Sequence, residues 1–149
     1  MMLLDNISIN RKARELGFVR DTFEKVCRLA EILDFIQKDA LLSDILALKG
    51  GTAINLTIFN NLPRLSVDID FDFAENISRE EMLAVRAQIT DRIGKKMTTA
   101  GYRLSQRSKT YHALDSFVYE YLNSGGMKDN LKIEINYMLR CHVLTVSYT

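Results

Sequence analysis

Apolar positions along this chain follow two periods, and each marks a different kind of element. Phe23, Val26, Ala30 and Leu33 recur at helical spacing behind Asp21-Thr22-Phe23-Glu24, a loose capping box, so residues 21–37 form an expected amphipathic helix. A second helical stretch covers roughly 39–46. It runs into Leu46-Ala47-Leu48-Lys49, which the pattern leaves open between a buried strand and the end of that helix. Residues 52–59 predict a short helix with Ala53, Leu56 and Ile58 or Phe59 facing inward, stopped by Asn60-Asn61-Leu62-Pro63. Residues 66–73 alternate as a strand. Ser78-Arg79-Glu80-Glu81 is a better capping box. The stripe Met82, Val85, Ile89, Ile93 and Met97 behind it predicts a helix ending near Gly101, with the stripe in the core.

From Tyr102 onward the period is two. Strands are expected over 102–108 and 113–122, the second with Phe117, Tyr119 and Tyr121 on one side. Asn123-Ser124-Gly125-Gly126 and Lys128-Asp129-Asn130 are turn chemistry, so the run 131–139 returns as a hairpin partner. In that run Leu131, Ile133, Ile135, Tyr137 and Leu139 face the core, and Lys132, Glu134 and Asn136 face the other way. Residues 1–18 show neither period and are expected to be irregular, with Arg11, Lys12 and Arg14 on a solvated arm.

Composition narrows this without redirecting it. The 149 residues suit one domain, 1–149, with a substantial core. A net charge of +1 gives no global pull toward nucleic acid or membrane. No apolar run approaches spanning length and no signal peptide opens the chain. Cys27 and Cys141 are far apart in apolar patterns and are expected to be buried free thiols. A cytoplasmic protein fits all of this. Tyr119 and Tyr121 are assigned to sheet packing rather than base stacking. His112 and His142 lack ligand spacing and take structural or surface roles.

The chemistry concentrates between Leu48 and Phe73. Asp68, Asp70 and Asp72 lie at every second position of a strand and share one face, while Ile69, Phe71 and Phe73 share the other. Three like charges on one face repel unless a cation sits between them, and hard oxygen ligands suit magnesium. Aspartate is unfavourable in strands, which argues against a merely solvated face. Gly50-Gly51 opens a helix and offers backbone N–H groups to phosphate. Together these predict a phosphate site beside a magnesium site, hence chemistry on a nucleoside triphosphate. A third carboxylate from a neighbouring strand would close a two-metal site, and Glu134, set between isoleucines on the polar side, is the candidate. An EF-hand loop is rejected: its sixth position is Phe73 and its twelfth Arg79. No Gly-Lys-Ser/Thr follows the glycines, so they are not a Walker loop.

Leu-Lys-Gly-Gly-Thr-Ala, Arg-Leu-Ser-Val-Asp-Ile-Asp-Phe and Lys-Ile-Glu-Ile-Asn-Tyr, in this order, resemble the AbiEii/AbiGii-type nucleotidyltransferase toxins of the DNA polymerase β-like superfamily, over about residues 38–140. The resemblance implies an α/β (α+β) fold: a nucleotidyltransferase-like mixed β-sheet, helices packed on one face and the acidic site on the other. It implies that Asp68, Asp70 and Glu134 are the catalytic, magnesium-binding carboxylates. Gly50, Gly51 and Thr52 would hold the triphosphate, Lys49 and Lys132 would touch phosphates, and Arg64 and Ser66 would support the nucleotide pocket. Asp72 stands where the family often has a non-acidic residue.

The expected function is magnesium-dependent transfer of a nucleotide from an NTP to an acceptor hydroxyl. The resemblance places this in an abortive-infection or toxin–antitoxin system, with tRNA as the acceptor and a separate antitoxin protein as partner. The sequence matches the N-terminal portion of such proteins and lacks their helical C-terminal half. The alternative is therefore a truncated, catalytically inactive nucleotidyltransferase-like domain that binds a nucleotide or a protein. Under either reading the C-terminal strand region is expected to favour self-association. A third reading, modification of small molecules such as aminoglycosides, uses the same superfamily core.

Overall fold

The computed structural model describes residues 6–17, 20–48 and 68–138. In chain order the elements are α1 (Asn6–Leu16), α2 (Arg20–Lys38), α3 (Ala40–Ile45), β1 (Leu46–Leu48), β2 (Asp68–Phe73), α4 (Arg79–Thr99), β3 (Arg103–Leu104), β4 (Lys109–Thr110), β5 (Leu114–Leu122) and β6 (Lys128–Asn136). The strands form one mixed sheet in the order β1-β2-β6-β5-β3, with β4 also on β5. β2 and β6 run parallel, and the other pairings are antiparallel.

The expected helices over 21–37 and 78–101 are α2 and α4. Ser78 caps α4: its Oγ accepts from the Glu81 N–H at 3.1 Å and donates to the Glu81 carboxylate at 3.0 Å. At the other end Tyr102 N–H donates to Met97 O (2.9 Å) and Gly101 N–H to Thr98 O (3.1 Å). This is a Schellman turn, and it needs the positive φ of 93° that Gly101 adopts. Asp39 caps α3 by accepting from the Leu41 and Leu42 N–H groups, and Arg92 of α4 reaches the same carboxylate at 3.1 Å. The 46–49 run, open between strand and helix end by pattern, begins as a strand, β1, paired with β2.

One face of the sheet carries the core. Ile69, Phe71 and Phe73 of β2, Leu131, Ile133 and Ile135 of β6, and Phe117, Tyr119 and Tyr121 of β5 bury against Leu29, Ile32 and Ile36 of α2, Leu42 and Ile45 of α3, and Met82, Ile89, Ile93 and Met97 of α4. Helices thus cover one face of an α/β mixed sheet, as the alternation required, and Tyr119 and Tyr121 belong to its packing. The opposite face takes the polar residues of the same strands, so the carboxylates of β2 stand clear of the core.

Three expectations about local structure are corrected. Residues 6–16 are helical, not irregular: Ile9 and Ala13, one turn apart, bury against Phe23 in a small second cluster, and two apolar residues are too few to register as a stripe. Arg11, Lys12 and Arg14 are exposed on that helix. The expected strand over 102–108 is only Arg103–Leu104, because serines intervene. Ser105 Oγ accepts from the Arg107 N–H, and Ser108 Oγ takes the Val118 N–H that a ladder carbonyl would otherwise hold. Cys27 is half-buried beside the Ile9 cluster rather than fully buried.

Two buried ionic clusters fix the sheet to its helices. Glu24, 1% exposed, accepts from Arg28 Nε (3.0 Å) and from the Ser124 N–H in the β5–β6 turn (2.7 Å). Arg28 lies 4.0 Å over the Tyr121 ring and donates to the Tyr102 hydroxyl. At the far end of β5, Arg86 of α4 makes a forked pair with Asp115 (2.8 and 3.2 Å) and donates to the carbonyls of Tyr111 (2.7 Å) and His112 (2.8 Å). Its guanidinium also sits 4.6 Å over the Tyr137 ring. Burial, reinforced by the Asp115 charge, pushes the Tyr137 hydroxyl well above its usual range.

Candidate active site

The β2–β6 pairing decides which polar side chains meet. Its register places Asp68 beside Lys132, Asp70 beside Glu134 and Asp72 beside Asn136. Neighbouring strands lie about 4.8 Å apart, so Asp70 and Glu134 stand side by side on the face away from the helices. Like charges directly opposite one another in a sheet are unfavourable. Lys132, on the same strand face, brings Nζ to 3.7 Å from Glu134 Oε2, with both side chains about one-third exposed. That ion pair offsets part of the repulsion, and a divalent cation between the carboxylates would offset more.

Among the described residues, no three His, Cys, Asp or Glu side chains converge as a ready-made metal cage. The structure brings Asp70 and Glu134 into direct register and sets Asp68 one row along, beside Lys132 rather than beside Glu134. Two adjacent carboxylates suit magnesium, which binds one or two protein carboxylates and completes its shell with water and substrate phosphate oxygens. They are a poor match for zinc, which takes nitrogen and sulfur ligands.

Lys49, Gly50, Gly51, Thr52, Arg64 and Ser66 lie outside the described residues. The stretch that holds them leaves from β1 and returns at β2, which are neighbours at one edge of the sheet. His142, Cys141 and Leu139 also lie outside the described residues, as does the helix expected over 52–59. His112 is exposed in the turn before β5.

Across the sheet the row continues. Glu134 pairs with Ser116 of β5, and Ser116 pairs with Lys109 of β4. Asp70, Glu134, Ser116 and Lys109 therefore form one line across four strands. Sequence reasoning missed the last two. The turn signals over 123–130 put the hairpin centre too late in the chain, whereas the pairing of Leu122 with Lys128 centres it on residue 125 and sets Ser116 opposite Glu134.

A family model of the nucleotidyl transferase AbiEii toxin, type IV TA system, matches residues 34–147. The chain belongs to the AbiEii family. The AbiEii match begins inside α2 and takes in α3, α4 and every strand, so all the candidate site residues, Lys49 to Glu134, fall within it. It leaves α1 and most of α2 outside. The AbiEii assignment brings the nucleotidyltransferase class and the type IV toxin–antitoxin setting together. None of the curated proteins matches the chain. Among the described residues no helix is long and apolar enough to cross a membrane.

Proposed function

We propose that this AbiEii chain is a magnesium-dependent nucleotidyltransferase that moves a nucleotide from an NTP to an acceptor hydroxyl. The observation that carries the reading is the side-by-side placement of Asp70 and Glu134 on the face of the sheet away from the helices. Asp70 and Glu134 would hold the metal, with Asp68 one row along on the same face to complete the set once the ion binds, and the metal would supply charge neutralisation at the triphosphate and a lowered pKa at the attacking oxygen. Lys132, next to Glu134, is within reach of a phosphate on the same face. The glycine segment 49–52 would supply N–H donors to the triphosphate, and Arg64 and Ser66 would support the nucleotide pocket.

In the reaction the acceptor oxygen bonds to the α-phosphorus as the bond to the bridging oxygen of pyrophosphate breaks. The acceptor proton passes to a site carboxylate, and pyrophosphate leaves. Phosphoryl and nucleotidyl transfer demand little covalent work from the protein beyond positioning and charge stabilisation, and paired carboxylates on one sheet face suit that task. The proposed acceptor is tRNA, and the proposed partner is an antitoxin protein that holds the activity in check.

Calorimetric titration of each NTP with magnesium, on the wild type and on Asp70→Asn, tests the reading. Magnesium-dependent binding of an NTP that Asp70→Asn loses is the expected result. A well-folded wild type that binds none of the four overturns it. Transfer of label from the bound NTP to bulk tRNA then tests the acceptor.

A further inference from the structure

The face of the sheet away from the helices is charged unevenly among the described residues. Its β2 side carries Asp68, Asp70 and Asp72, and its β4 side carries Lys109, with Arg107 in the turn just before it. Lys109 and Arg107 are both exposed. Arg103, on β3, is engaged by Glu120 at 3.5 Å. The β4–β5 pairing continues one residue past β4, since the Tyr111 N–H donates to Leu114 O at 2.7 Å. Strand alternation then puts Tyr111 on the same face as Lys109, two positions on. It lies in the row that runs through Leu114 and Asn136 to Asp72.

Tyr111 is 54% exposed, although aromatic side chains are usually covered. The turn that carries it is not loose. Arg86, 8% exposed, donates to the Tyr111 and His112 carbonyls while forked onto buried Asp115. A large ring is thus presented to solvent on a backbone fixed from beneath, with Lys109 two positions before it on the same face and exposed Arg107 in the preceding turn. Aromatic platforms beside basic residues are how proteins hold single-stranded nucleic acid: bases stack on the ring and phosphates meet the cations.

We propose that Tyr111, Lys109 and Arg107 form the docking surface for a single-stranded segment of an RNA acceptor. The base stacks on Tyr111 and the flanking phosphates lie at Lys109 and Arg107. Lys109 is three strand spacings from Asp70, about 14 Å at 4.8 Å per strand, so a short tail running across Ser116 brings its terminal hydroxyl to the carboxylates. The assignment rests on the proposed transfer reaction for its choice of RNA; the surface itself rests on exposure, charge and the pinned turn.

The test measures binding of the full chain to a short fluorescein-labelled single-stranded RNA by anisotropy, with magnesium-dependent NTP binding measured on the same proteins. Tyr111→Ala is expected to weaken RNA binding roughly tenfold or more, the effect of losing one base stack, and Tyr111→Phe to stay within about twofold of wild type. The double variant Arg107→Gln/Lys109→Gln is expected to weaken binding and to flatten its salt dependence, by about 0.7 in log–log slope for each phosphate that is no longer neutralised. NTP binding is expected to be unchanged in all of them. RNA binding that is absent from the wild type, or unmoved by these substitutions, overturns the docking surface whatever the NTP result. Equal binding of single-stranded DNA overturns the choice of RNA. RNA binding that depends on Tyr111 in a protein that binds no NTP sustains the surface and sinks the transfer reaction instead.

Discussion

Asp70 on β2 and Glu134 on β6 are register partners across the parallel pair of strands in this sheet. Both sit on the face away from the helices, so neither contributes to the core. Asp70→Asn is accordingly expected to leave unfolding free energy within about 1 kcal/mol of wild type. The same substitution should remove the rise in Tm that magnesium and an NTP together produce. Thermal melts with and without both ligands check this, and an unfolded Asp70→Asn protein would mean that the aspartate is structural.

Arg86 and Asp115 should behave in the opposite way. They are 8% and 2% exposed, and removing either leaves the other charged and buried. Arg86→Ala or Asp115→Ala is expected to cost about 3–5 kcal/mol by urea denaturation. The double variant should cost less than the sum of the two, because the second removal relieves the stranded charge. The exposed pairs Asp34–Lys38 and Asp91–Lys95 on the helices give the contrast, with an expected cost under about 0.5 kcal/mol each.

Ser78 closes the start of α4 through both the Glu81 N–H and the Glu81 carboxylate. Ser78→Ala strips the start of α4 of its acceptor for the Glu81 N–H and should destabilise the protein by about 1 kcal/mol. Ser78→Asp, which keeps an acceptor there, should recover most of that in the same denaturation experiment.

Cys27 offers a chemical readout. Burial, followed by the charges of Glu31 and Glu24, pushes its thiol up to about 11 from the ordinary 9.0. At pH 8 it then carries about one-hundredth of the ordinary thiolate, the form that reacts. In a Cys141→Ser background, alkylation by iodoacetamide should be slow at pH 8 in the folded protein and fast in urea. The linkage has a definite sign. The folded state holds the proton more tightly, so the stabilisation is fully present below pH 9 and is lost as pH rises from 9 toward 11. Tyr119, pushed up to about 12 by burial, extends the same loss to higher pH.

Much of this was legible in the sequence, and the reasons differ by element. The aspartate strand announced both its faces, because Ile69, Phe71 and Phe73 alternate with charges that have no other place to go. α4 declared its start through Ser78 and its stop through Gly101. Glu134 follows from the same alternation, but its partner does not: which aspartate it meets depends on the β2–β6 register, which no local pattern encodes. Arg86 was hidden for a different reason. It falls on the apolar stripe one turn after Met82, where its position, not its residue type, says that it is buried. α1 escaped because its helical signal is two apolar residues deep. The partner that covers them, Phe23, lies beyond a turn at Gly17 that has a positive φ of 75°.

The pairing that brings Asp70 and Glu134 together also dates their meeting. β2 and β6 lie on opposite sides of α4 and of the β3–β5 segment, so a growing chain carries its aspartates long before it acquires the glutamate that faces them. Pairing between strands so far apart in sequence is the slow, late step of folding. Asp70 and Glu134 therefore come together only after β6 has left the ribosome and closed against β2, when most of the described chain is already out.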